Sequence, residues 1–509
     1  MQGQVGNDID ISNMPDALDQ VEQHLGELDR QINEHDARLE QRASPNPLNI
    51  PGVASLTDLG NAERMVDRWG ERLRYSPAAG KWYLWDGRLW NPDADARLNQ
   101  WAAMTVKGIY SEAANTERRD DKERIARHAI KSEARAKIRD MLDLARWMEP
   151  VPIDERAFDD DDYLINFING TVELRGGDLR EHRKEDLITK VCPVRYDADA
   201  RSEVWEGFLD SVTDGDKELQ LFLQRAVGYS LCGDYRDEVL FFIYGPTASG
   251  KSTFKDSIKA MMGSYAATAD ISTFLKFKGS SNGPRNDLAR LARTRLVVSD
   301  EVDEGSKLAT GLVKLWTGGD TLTARFLYRE HFEFTSRGKL WLVANHVPKV
   351  SADDSAIWRR ILRVPFLNEI APEKQDHELK RVLCDPVVSG PAIATWAVRG
   401  CQMWLEDGLA APEVVIQSTA DYRSEMNPVS AYIEECCEIL PLDQGAIETS
   451  SDLWASYQTW AEENGIRYPM KRTEFGKGLK TYGLESKQRA GDRARTWQGV
   501  RICRDNRNT

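Results

Sequence analysis

Short apolar runs separated by helical patterns occupy the middle of the chain, and they predict an α/β core. Three of these runs end in polar groups, at residues 239–244, 295–301 and 339–345. Continuous apolar runs of this length are typical of strands buried on both faces of a parallel sheet. Because the carboxyl ends of parallel strands meet at one edge, we expect the residues that follow these runs to lie close together.

The pattern changes on either side of this core. Residues 81–90 and 163–175 alternate apolar and polar positions around Asp-Gly and Asn-Gly, which predicts two hairpins, and the charged stretch 117–148 has a helical period. The predicted organisation is a helical N-terminal segment at 1–45, a mixed α/β domain at 56–236, the α/β core at 237–370, a helical lid or linker at 371–438 and a basic domain at 439–509.

A heptad-like spacing marks the N-terminal segment. Apolar positions recur there at alternating intervals of three and four, with one histidine among them: Leu18, Val21, Leu25, Leu28, Ile32, His35 and Leu39. This spacing predicts a short coiled coil, and a lone amphipathic helix packed on the rest of the protein fits it equally well.

The stretch Gly245-Pro-Thr-Ala-Ser-Gly-Lys-Ser252 follows the first apolar run and has the spacing of a phosphate loop. Gly245 and Gly250 allow a tight loop whose backbone N–H groups point at phosphate oxygens. Lys251 would reach the β- and γ-phosphates, and Ser252 would offer its hydroxyl to Mg²⁺. The sequence therefore predicts an ATP and Mg²⁺ site, whose nucleotide contacts are Gly245, Pro246, Thr247, Ala248, Ser249, Gly250, Lys251, Ser252 and Thr253.

Polar residues after the later strands complete this site. Asp300 would hold Mg²⁺ together with Ser252, and Glu301 would polarise the attacking water. Asn345 could hydrogen-bond the γ-phosphate or that water. An arginine after Trp358, with Arg359 preferred to Arg360, could reach the γ-phosphate of a neighbouring subunit. The predicted catalytic residues are Lys251, Asp300, Glu301, Asn345, Arg359 and Arg360.

Composition adds little to this interpretation, except at the C-terminal end. The 509 residues are 41% hydrophobic and 29% charged, which is ordinary for a globular protein of several domains. We expect a cytoplasmic protein, in a bacterial host if phage or plasmid encoded, because neither a signal peptide nor an apolar run of about 18 residues is present. Seven cysteines and seven histidines without metal-site spacing predict no metal besides Mg²⁺.

The formal net charge of −14 conceals a basic end: residues 466–509 contain 12 Lys and Arg against 4 Asp and Glu. Residues 451–460 and 471–480 predict two helices, and 489–500 predicts a basic hairpin. Together they suggest a DNA-binding winged helix, with phosphate contacts from Lys471, Arg472, Lys477 and Lys480. A basic face that only aids solubility fits the same charges.

In this order, the core residues resemble the motifs of superfamily 3 helicases. The matching stretches are Gly245 to Ser252, Ser299-Asp-Glu301, Lys314-Leu-Trp-Thr-Gly-Gly-Asp320, Ala324-Arg-Phe-Leu-Tyr328, Asn345 and Trp358-Arg-Arg360. Residues 57–64, 82–90 and 164–170 resemble the domain that precedes this core in phage and plasmid primase-helicases, a type related to the C-terminal region of the poxvirus NTPase/primase.

The resemblance implies an AAA+ P-loop ATPase core in a homo-hexameric ring that translocates on single-stranded DNA and unwinds forks during replication of a mobile element. It also implies a DNA-contacting hairpin between Gly319 and Asn345. The apolar pattern of residues 321–328 and 332–343 predicts two strands, which would place Arg329 and His331 near the tip, and an exposed polar turn fits these two residues nearly as well. The Lys-His pair common at that tip is absent here.

Priming is not expected from this chain, since few residues precede the matching region, so a separate primase or other replication proteins are expected partners. An ATP-dependent origin-remodelling initiator or loader, and a non-enzymatic ATP-switched DNA-binding scaffold, are the alternative functions.

Overall fold

The computed structural model describes most of the chain after the heptad segment 1–45, which lies outside the described residues. These are residues 55–92, 97–276, 285–300, 306–325, 331–344, 346–351, 354–376, 378–426, 428–441, 445–464, 469–488 and 495–503. These residues form two compact units, one that contains those up to Asp161 together with Arg180–Val191, and one that contains Asp162–Leu179 together with those from Cys192 onward. This division lies inside the segment 56–236 that the sequence analysis assigns to one domain.

The first unit combines helices with a small antiparallel sheet. The predicted hairpin at 81–90 is confirmed, because β2 and β3 pair with Trp85 opposite Trp90. Trp90 is fully buried, so this aromatic residue belongs to the core and is not exposed for base stacking. The elements of this unit are α1 (Asp58–Trp69), β1 (Leu73–Ser76), β2 (Lys81–Trp85), β3 (Trp90–Pro92), α2 (Arg97–Ala114), α3 (Arg119–Ser132) and α4 (Arg135–Ala145).

The motif at residues 57–64 builds the packing of this unit. The buried Asn61 carboxamide lies 2.8 Å from His128 Nε2 through its oxygen and donates to Ser132 Oγ at 2.9 Å. Arg64 donates two hydrogen bonds of 2.7 Å to the Glu112 carboxylate. Burial lowers the pKa of His128, which favours the neutral imidazole. The motif therefore attaches α1 to α2 and α3.

The second unit contains a five-stranded parallel sheet. Its strands are, from one side to the other, β13 (Ile361–Pro365), β7 (Leu240–Tyr244), β12 (Lys339–Ala344), β9 (Leu296–Asp300) and β8 (Ala266–Ala269). The three apolar runs are confirmed as β7, β9 and β12, and every residue of β12 is buried. The second predicted hairpin is also confirmed, as β4 paired with β5. Its elements up to the sheet are β4 (Leu164–Phe167), β5 (Gly170–Glu173), β6 (Asp178–Arg180), α5 (Glu203–Val212) and α6 (Lys217–Leu231).

The sheet and its helices follow in chain order. They are β7 (Leu240–Tyr244), α7 (Lys251–Met262), β8 (Ala266–Ala269), α8 (Asn286–Ala289), β9 (Leu296–Asp300), α9 (Thr310–Thr317), β10 (Thr321–Ala324), β11 (Phe332–Thr335), β12 (Lys339–Ala344), α10 (Ser355–Trp358), β13 (Ile361–Pro365), α11 (Leu379–Leu383), α12 (Gly390–Asp407) and α13 (Glu413–Glu425).

The predicted strand 332–343 is wrong as a single element. Its first part, β11, pairs with β10 in an antiparallel hairpin, whereas β12 lies between β7 and β9 in the parallel sheet. The chain changes sheets at residues 336–338, where Gly338 O accepts a hydrogen bond of 2.6 Å from the buried Trp316 indole. This contact is non-local, so the apolar pattern does not reveal the break.

The C-terminal part of this unit combines helices with short antiparallel strands. The two predicted helices are confirmed as α15 (Ser450–Glu463) and α16 (Arg472–Thr481), whereas the first hairpin strand, β16 (Glu485–Gln488), lies before the predicted range 489–500. The sequence of β16, Glu-Ser-Lys-Gln, has no alternation of apolar and polar residues that would predict a strand. The elements are α14 (Pro428–Cys436), β14 (Cys437–Ile439), β15 (Ile447–Thr449), α15 (Ser450–Glu463), α16 (Arg472–Thr481), β16 (Glu485–Gln488), β17 (Arg495–Gln498) and β18 (Val500–Ile502).

Among the described residues, no helix combines the length and the apolar character that crossing a bilayer requires.

Two glycines allow α6 and α12 to pack closely. A Cβ on Gly228 would lie 2.0 Å from the Cys401 nitrogen, and one on Gly400 would lie 2.0 Å from the Gln224 carbonyl oxygen. The Gln224 side chain also donates to Trp396 O at 2.9 Å. The two helices therefore meet through backbone contacts that leave no space for larger residues.

We predict that Gly228→Ala lowers the free energy of unfolding by about 1–3 kcal/mol, because the added methyl group forces α6 and α12 apart. Gly207→Ala in α5 is the matched control, since a Cβ there has no neighbour within 4 Å. Urea unfolding should show the control to be as stable as the parent or more stable. Equal stability of the two variants would contradict the packing argument.

Candidate functional site

The loop between β7 and α7 has the tight shape that its sequence predicts. Ala248 and Gly250 adopt positive φ angles of 60° and 82°. A Cβ on Gly245 would lie 1.9 Å from Phe366 O, and one on Gly250 would lie 2.3 Å from Val212 Cγ1. Glycine is therefore required at position 245 because Phe366 O approaches its backbone closely. At position 250 it is required both by the nearby Val212 side chain and by the positive φ angle.

Lys251 is turned inward over this loop. Its ammonium donates to Gly245 O at 2.8 Å and to Pro246 O at 2.5 Å, and it lies 3.2 Å from Ser249 Oγ. Burial lowers the pKa of Lys251. Helix α7 begins at Lys251, and the preceding Gly250 provides no side-chain cap for its first N–H groups. A lysine cation and uncapped helix N–H groups together suit an anion such as phosphate.

The other predicted nucleotide contacts surround this lysine. Pro246, Thr247 and Ser252 are exposed, Thr253 is half-buried, and the buried Ser249 hydroxyl donates to Pro246 O at 2.9 Å. The loop therefore presents the Ser252 hydroxyl to solvent.

The end of β9 lies at the same edge of the sheet as the loop. Val343 of β12 is paired with Asp300 on one side and with Ile243 on the other, one residue before β7 ends. The side chain of Asp300, and Glu301 and Asn345 entirely, lie outside the described residues, so their roles stay predictions.

Arg359 and Arg360 lie at the opposite edge. Arg360 O accepts a hydrogen bond of 2.7 Å from the nitrogen of Leu240, the first residue of β7, and Ile361 is paired with Leu240. The length of β7 separates this point from the phosphate loop by about 16 Å, at about 3.3 Å per residue. The structure therefore does not bring these arginines to the phosphate loop of their own chain.

The two arginines have different surroundings. Arg360 forms an ion pair with Glu238 and donates to Ala356 O at 2.9 Å, and its side chain is only 13% exposed. Arg359 is exposed, and within the described part of the chain its guanidinium has no hydrogen-bond or ion-pair partner. Of the two, Arg359 is the arginine available to another molecule.

A short helix holds this arginine turn in place. The Asp354 carboxylate caps α10 by accepting from Ile357 N at 3.3 Å, and it pairs with Lys314 at 3.1 Å. The hydrogen bond from Lys314 lowers the pKa of Asp354. Trp358, buried at the end of α10, donates to Ser351 O at 2.9 Å. The resemblance motif that begins at Lys314 therefore supports the turn that carries Arg359.

Those predicted nucleic-acid contacts that lie within the described residues are at the surface of the protein. His331 is exposed directly before β11, whereas Arg329 lies outside the described residues. Phe475 and Leu479 of α16 are buried in the C-terminal core. The basic residues on and next to α16 are all exposed: Lys471, Arg472, Lys477 and Lys480.

Sequence reasoning missed two residues near the arginine turn, Tyr235 and Glu238. They belong to the run Asp234-Tyr-Arg-Asp-Glu238, which has the composition of an ordinary polar loop before β7. The positive φ of Glu238 and the packing of Tyr235 against Gly319 are visible only in the structure.

The fold and the site define a mixed α/β protein whose parallel sheet carries a phosphate-loop motif at the end of β7. Three family models match it: "D5 N terminal like" at residues 62–214, "Family of unknown function (DUF5906)" at 243–360 and "Poxvirus D5 protein-like" at 424–506. Two of these models describe D5-like proteins, so the resemblance to the poxvirus-related type is confirmed at this level.

Viral relatives match much of the chain. It is 26% identical over 332 residues to a protein of Acanthamoeba polyphaga mimivirus named as a candidate helicase, which covers 61% of this chain and 34% of the relative. Proteins with the same designation from Invertebrate iridescent virus 3 and Frog virus 3 are 27% and 25% identical, over 45% and 52% of this chain and 26% and 28% of their own lengths. The chain thus spans about a third of these relatives or less.

Solved structures of the NrS-1 C-terminal region align with 84% of this chain and 96% of their own length, at 12% identity and TM-scores of 0.43 and 0.46.

Proposed function

We propose that this chain is an ATP-dependent DNA helicase that serves the replication of a phage, plasmid, virus or other mobile element. The observation that carries the proposal is the division of groups across the parallel sheet, with the phosphate loop at one edge and the exposed Arg359 at the other. A motor assembled from several copies has a use for this separation, because each copy could complete the site of its neighbour. The naming of viral relatives as candidate helicases agrees with the proposal.

ATP with Mg²⁺ fits the donors of the loop. The uncapped start of α7 and the Lys251 ammonium offer positive groups to a triphosphate. The oxygens of Ser252 and Asp300 are the hard ligands that Mg²⁺ prefers. When bound, the ion would neutralise charge that develops on the phosphates. Lys251 would then exchange its hydrogen bonds to Gly245 O and Pro246 O for phosphate oxygens.

The chemistry would be in-line attack of water on the γ-phosphate. Glu301 would accept a proton from that water, and Asn345 would orient it, since both follow strands that end near the loop. Arg359 of a neighbouring copy would stabilise the transition state. Arg360 is less suited to this role, because its guanidinium is already paired with Glu238.

The strand order and connections support an AAA+ core, and we propose that it assembles into a hexameric ring. Nucleic acid would contact two places on each copy. The β10–β11 hairpin would contact it through His331, which directly precedes β11, and Arg329 stays a predicted contact. The C-terminal helices and hairpin would act as a winged helix. The exposed Arg472, Lys477 and Lys480 of α16 would bind phosphates without reading the base sequence.

We predict that the full chain displaces a labelled strand from a tailed duplex only when ATP and Mg²⁺ are present. Duplexes with 3′ and 5′ tails should be compared, since helicase movement has one polarity. Glu301→Gln should still bind an ATP analogue but lower ATP turnover by about 100-fold or more, because the general base is lost. ATP hydrolysis without strand displacement on either tail would favour an initiator or loader instead.

A second prediction concerns completion of the site by a neighbour. Arg359→Ala should lower ATP turnover by about 1,000-fold while nucleotide and DNA still bind, because an arginine finger acts in the transition state. Lys251→Ala should weaken nucleotide binding itself. Mixing the two variants should restore part of the DNA-stimulated turnover, because some interfaces pair an intact loop with an intact arginine.

Co-assembly of the mixed subunits has to be verified, for example with two different affinity tags. Co-assembled rings that remain as inactive as either parent would contradict the role of Arg359 across the interface.

The third prediction tests the basic surface of α16. Lys477→Gln with Lys480→Gln should weaken single-stranded DNA binding and reduce the slope of log K against log salt by about 1.4, since each lost phosphate contact contributes about 0.7. The matched control replaces Lys217 and Arg381, whose side chains are 70% and 72% exposed elsewhere in the same unit. An equal change of slope in both double variants would show that only overall charge matters.

A further inference from the structure

The residues 234–238, between α6 and β7, contact four separate elements of the second unit. The Asp234 carboxylate accepts from Tyr163 Oη at 2.6 Å, next to β4, and the Asp237 carboxylate accepts from the Trp404 indole of α12, also at 2.6 Å. Tyr235 and Glu238 point to two further elements, described below. We call residues 234–238 the junction segment.

Glu238 connects the junction segment to the arginine turn. Its carboxylate pairs with the Arg360 guanidinium, and the next strand begins beside it, where Leu240 N donates to Arg360 O at 2.7 Å. Glu238 adopts a φ of 53°, a left-handed conformation that is uncommon for a residue with this side chain. Its backbone N–H closes the turn by donating to Tyr235 O at 2.9 Å. Unfavourable backbone conformations persist where surrounding contacts impose them, and they concentrate at functional sites.

Tyr235 connects the same segment to the base of the β10–β11 hairpin. The chain leaves α9 through Gly318 and Gly319 and enters β10 at Thr321. Gly319 has a φ of 71°, and a Cβ on it would lie 2.1 Å from Tyr235 Cε2, so the ring packs directly on the glycine backbone. A Cβ on the adjacent Gly318 would lie 3.6 Å from Arg360 Nη2, which places the guanidinium beside the same turn.

We infer that the junction segment couples the β10–β11 hairpin to the arginine turn, with Tyr235, Glu238 and Arg360 as positioning residues. This inference rests on the proposed function and adds the route by which nucleic acid on the hairpin affects ATP hydrolysis in the neighbouring copy. A displacement of the hairpin base moves Gly318 and Gly319 against the Tyr235 ring. Because Tyr235 and Glu238 belong to one closed turn, the displacement reaches Arg360 and hence the exposed Arg359.

The inference assigns Arg360 a role different from that of Arg359. A residue that contacts the γ-phosphate of a neighbouring copy must extend away from its own chain. The Arg360 side chain is held within its own chain by Glu238 and by Ala356 O. Its charge is needed inside the chain, where it orients the turn. Loss of Arg359 would therefore remove a transition-state contact, whereas loss of the Arg360 pairing would misplace that contact.

We predict that Tyr235→Ala reduces the stimulation of ATP turnover by single-stranded DNA by about tenfold, because small misplacements of a catalytic group are costly. The KM for ATP and the Kd for a poly-dT oligonucleotide should stay within about twofold of the parent, since binding groups are untouched. Tyr235→Phe should behave as the parent, because the ring makes the contact with Gly319. Leu221→Ala is the matched control, since Leu221 and Tyr235 are both 41% exposed in the same unit.

The ion pair is tested by exchanging its charges. Glu238→Gln should lower DNA-stimulated kcat without a matching change in KM, and combining Glu238→Arg with Arg360→Glu should recover part of the loss.

Full stimulation of ATP turnover by DNA in Tyr235→Ala would overturn the inference. A loss of stimulation that accompanies equal losses of nucleotide and DNA binding would overturn it as well. Absence of ATP turnover in the parent protein would instead refute the proposed function, so the two failures are distinguishable.

Discussion

The contact between the phosphate loop and Phe366, the residue that follows strand β13, is the constraint on which the candidate site depends. Phe366 N donates to Tyr244 O at 2.7 Å, and Phe366 O occupies the space where a side chain on Gly245 would lie. The loop must therefore turn immediately after β7, and it does so with Ala248 and Gly250 at positive φ. This turn directs Lys251 into the loop and starts α7 there. The Lys251 side chain and the start of α7, which suit phosphate, therefore both depend on the turn that the contact with Phe366 imposes.

In a parallel sheet, the carboxyl ends of the strands lie at one edge and the amino ends at the other. Groups at the two edges of a single copy therefore cannot form one site. The phosphate loop follows the carboxyl end of β7, whereas Arg359 precedes β13 at the amino end. Lengthening or rotating side chains cannot close a gap of about 16 Å, since an arginine side chain spans less than half of it. The same geometry would allow an array of copies to place the amino edge of one against the carboxyl edge of the next. The proposed ring follows from this polarity and from the freedom of Arg359.

The junction segment shows how a short connection can link distant parts of the fold. Its residues form one turn, closed by the hydrogen bond from Glu238 N to Tyr235 O, and they contact a residue next to β4, a helix, a glycine turn and an arginine. In the first unit, the buried Asn61 and Ser132 and the half-buried His128 form a polar network that joins helices. In the junction segment and in this network, polar or charged side chains lie where helices, strands and turns meet. Hydrogen bonds there fix the positions of these elements more closely than apolar packing does.

Local patterns in the sequence determined the parts of this protein that depend on local physics. Strands β7, β9 and β12 were predictable because a strand buried on both faces must be apolar throughout, and the loop glycines because few other residues tolerate its conformation. The two hairpins followed from their turn residues, and α15 and α16 from their periodicity. Tertiary structure decided the rest. It divided 332–343 between two sheets, placed polar β16 in a hairpin, made residues 57–64 a packing motif and paired Arg360 with Glu238 while leaving Arg359 exposed. Each of these outcomes depends on a partner far away in the sequence, and the pattern around a residue carries no information about which distant group will lie beside it.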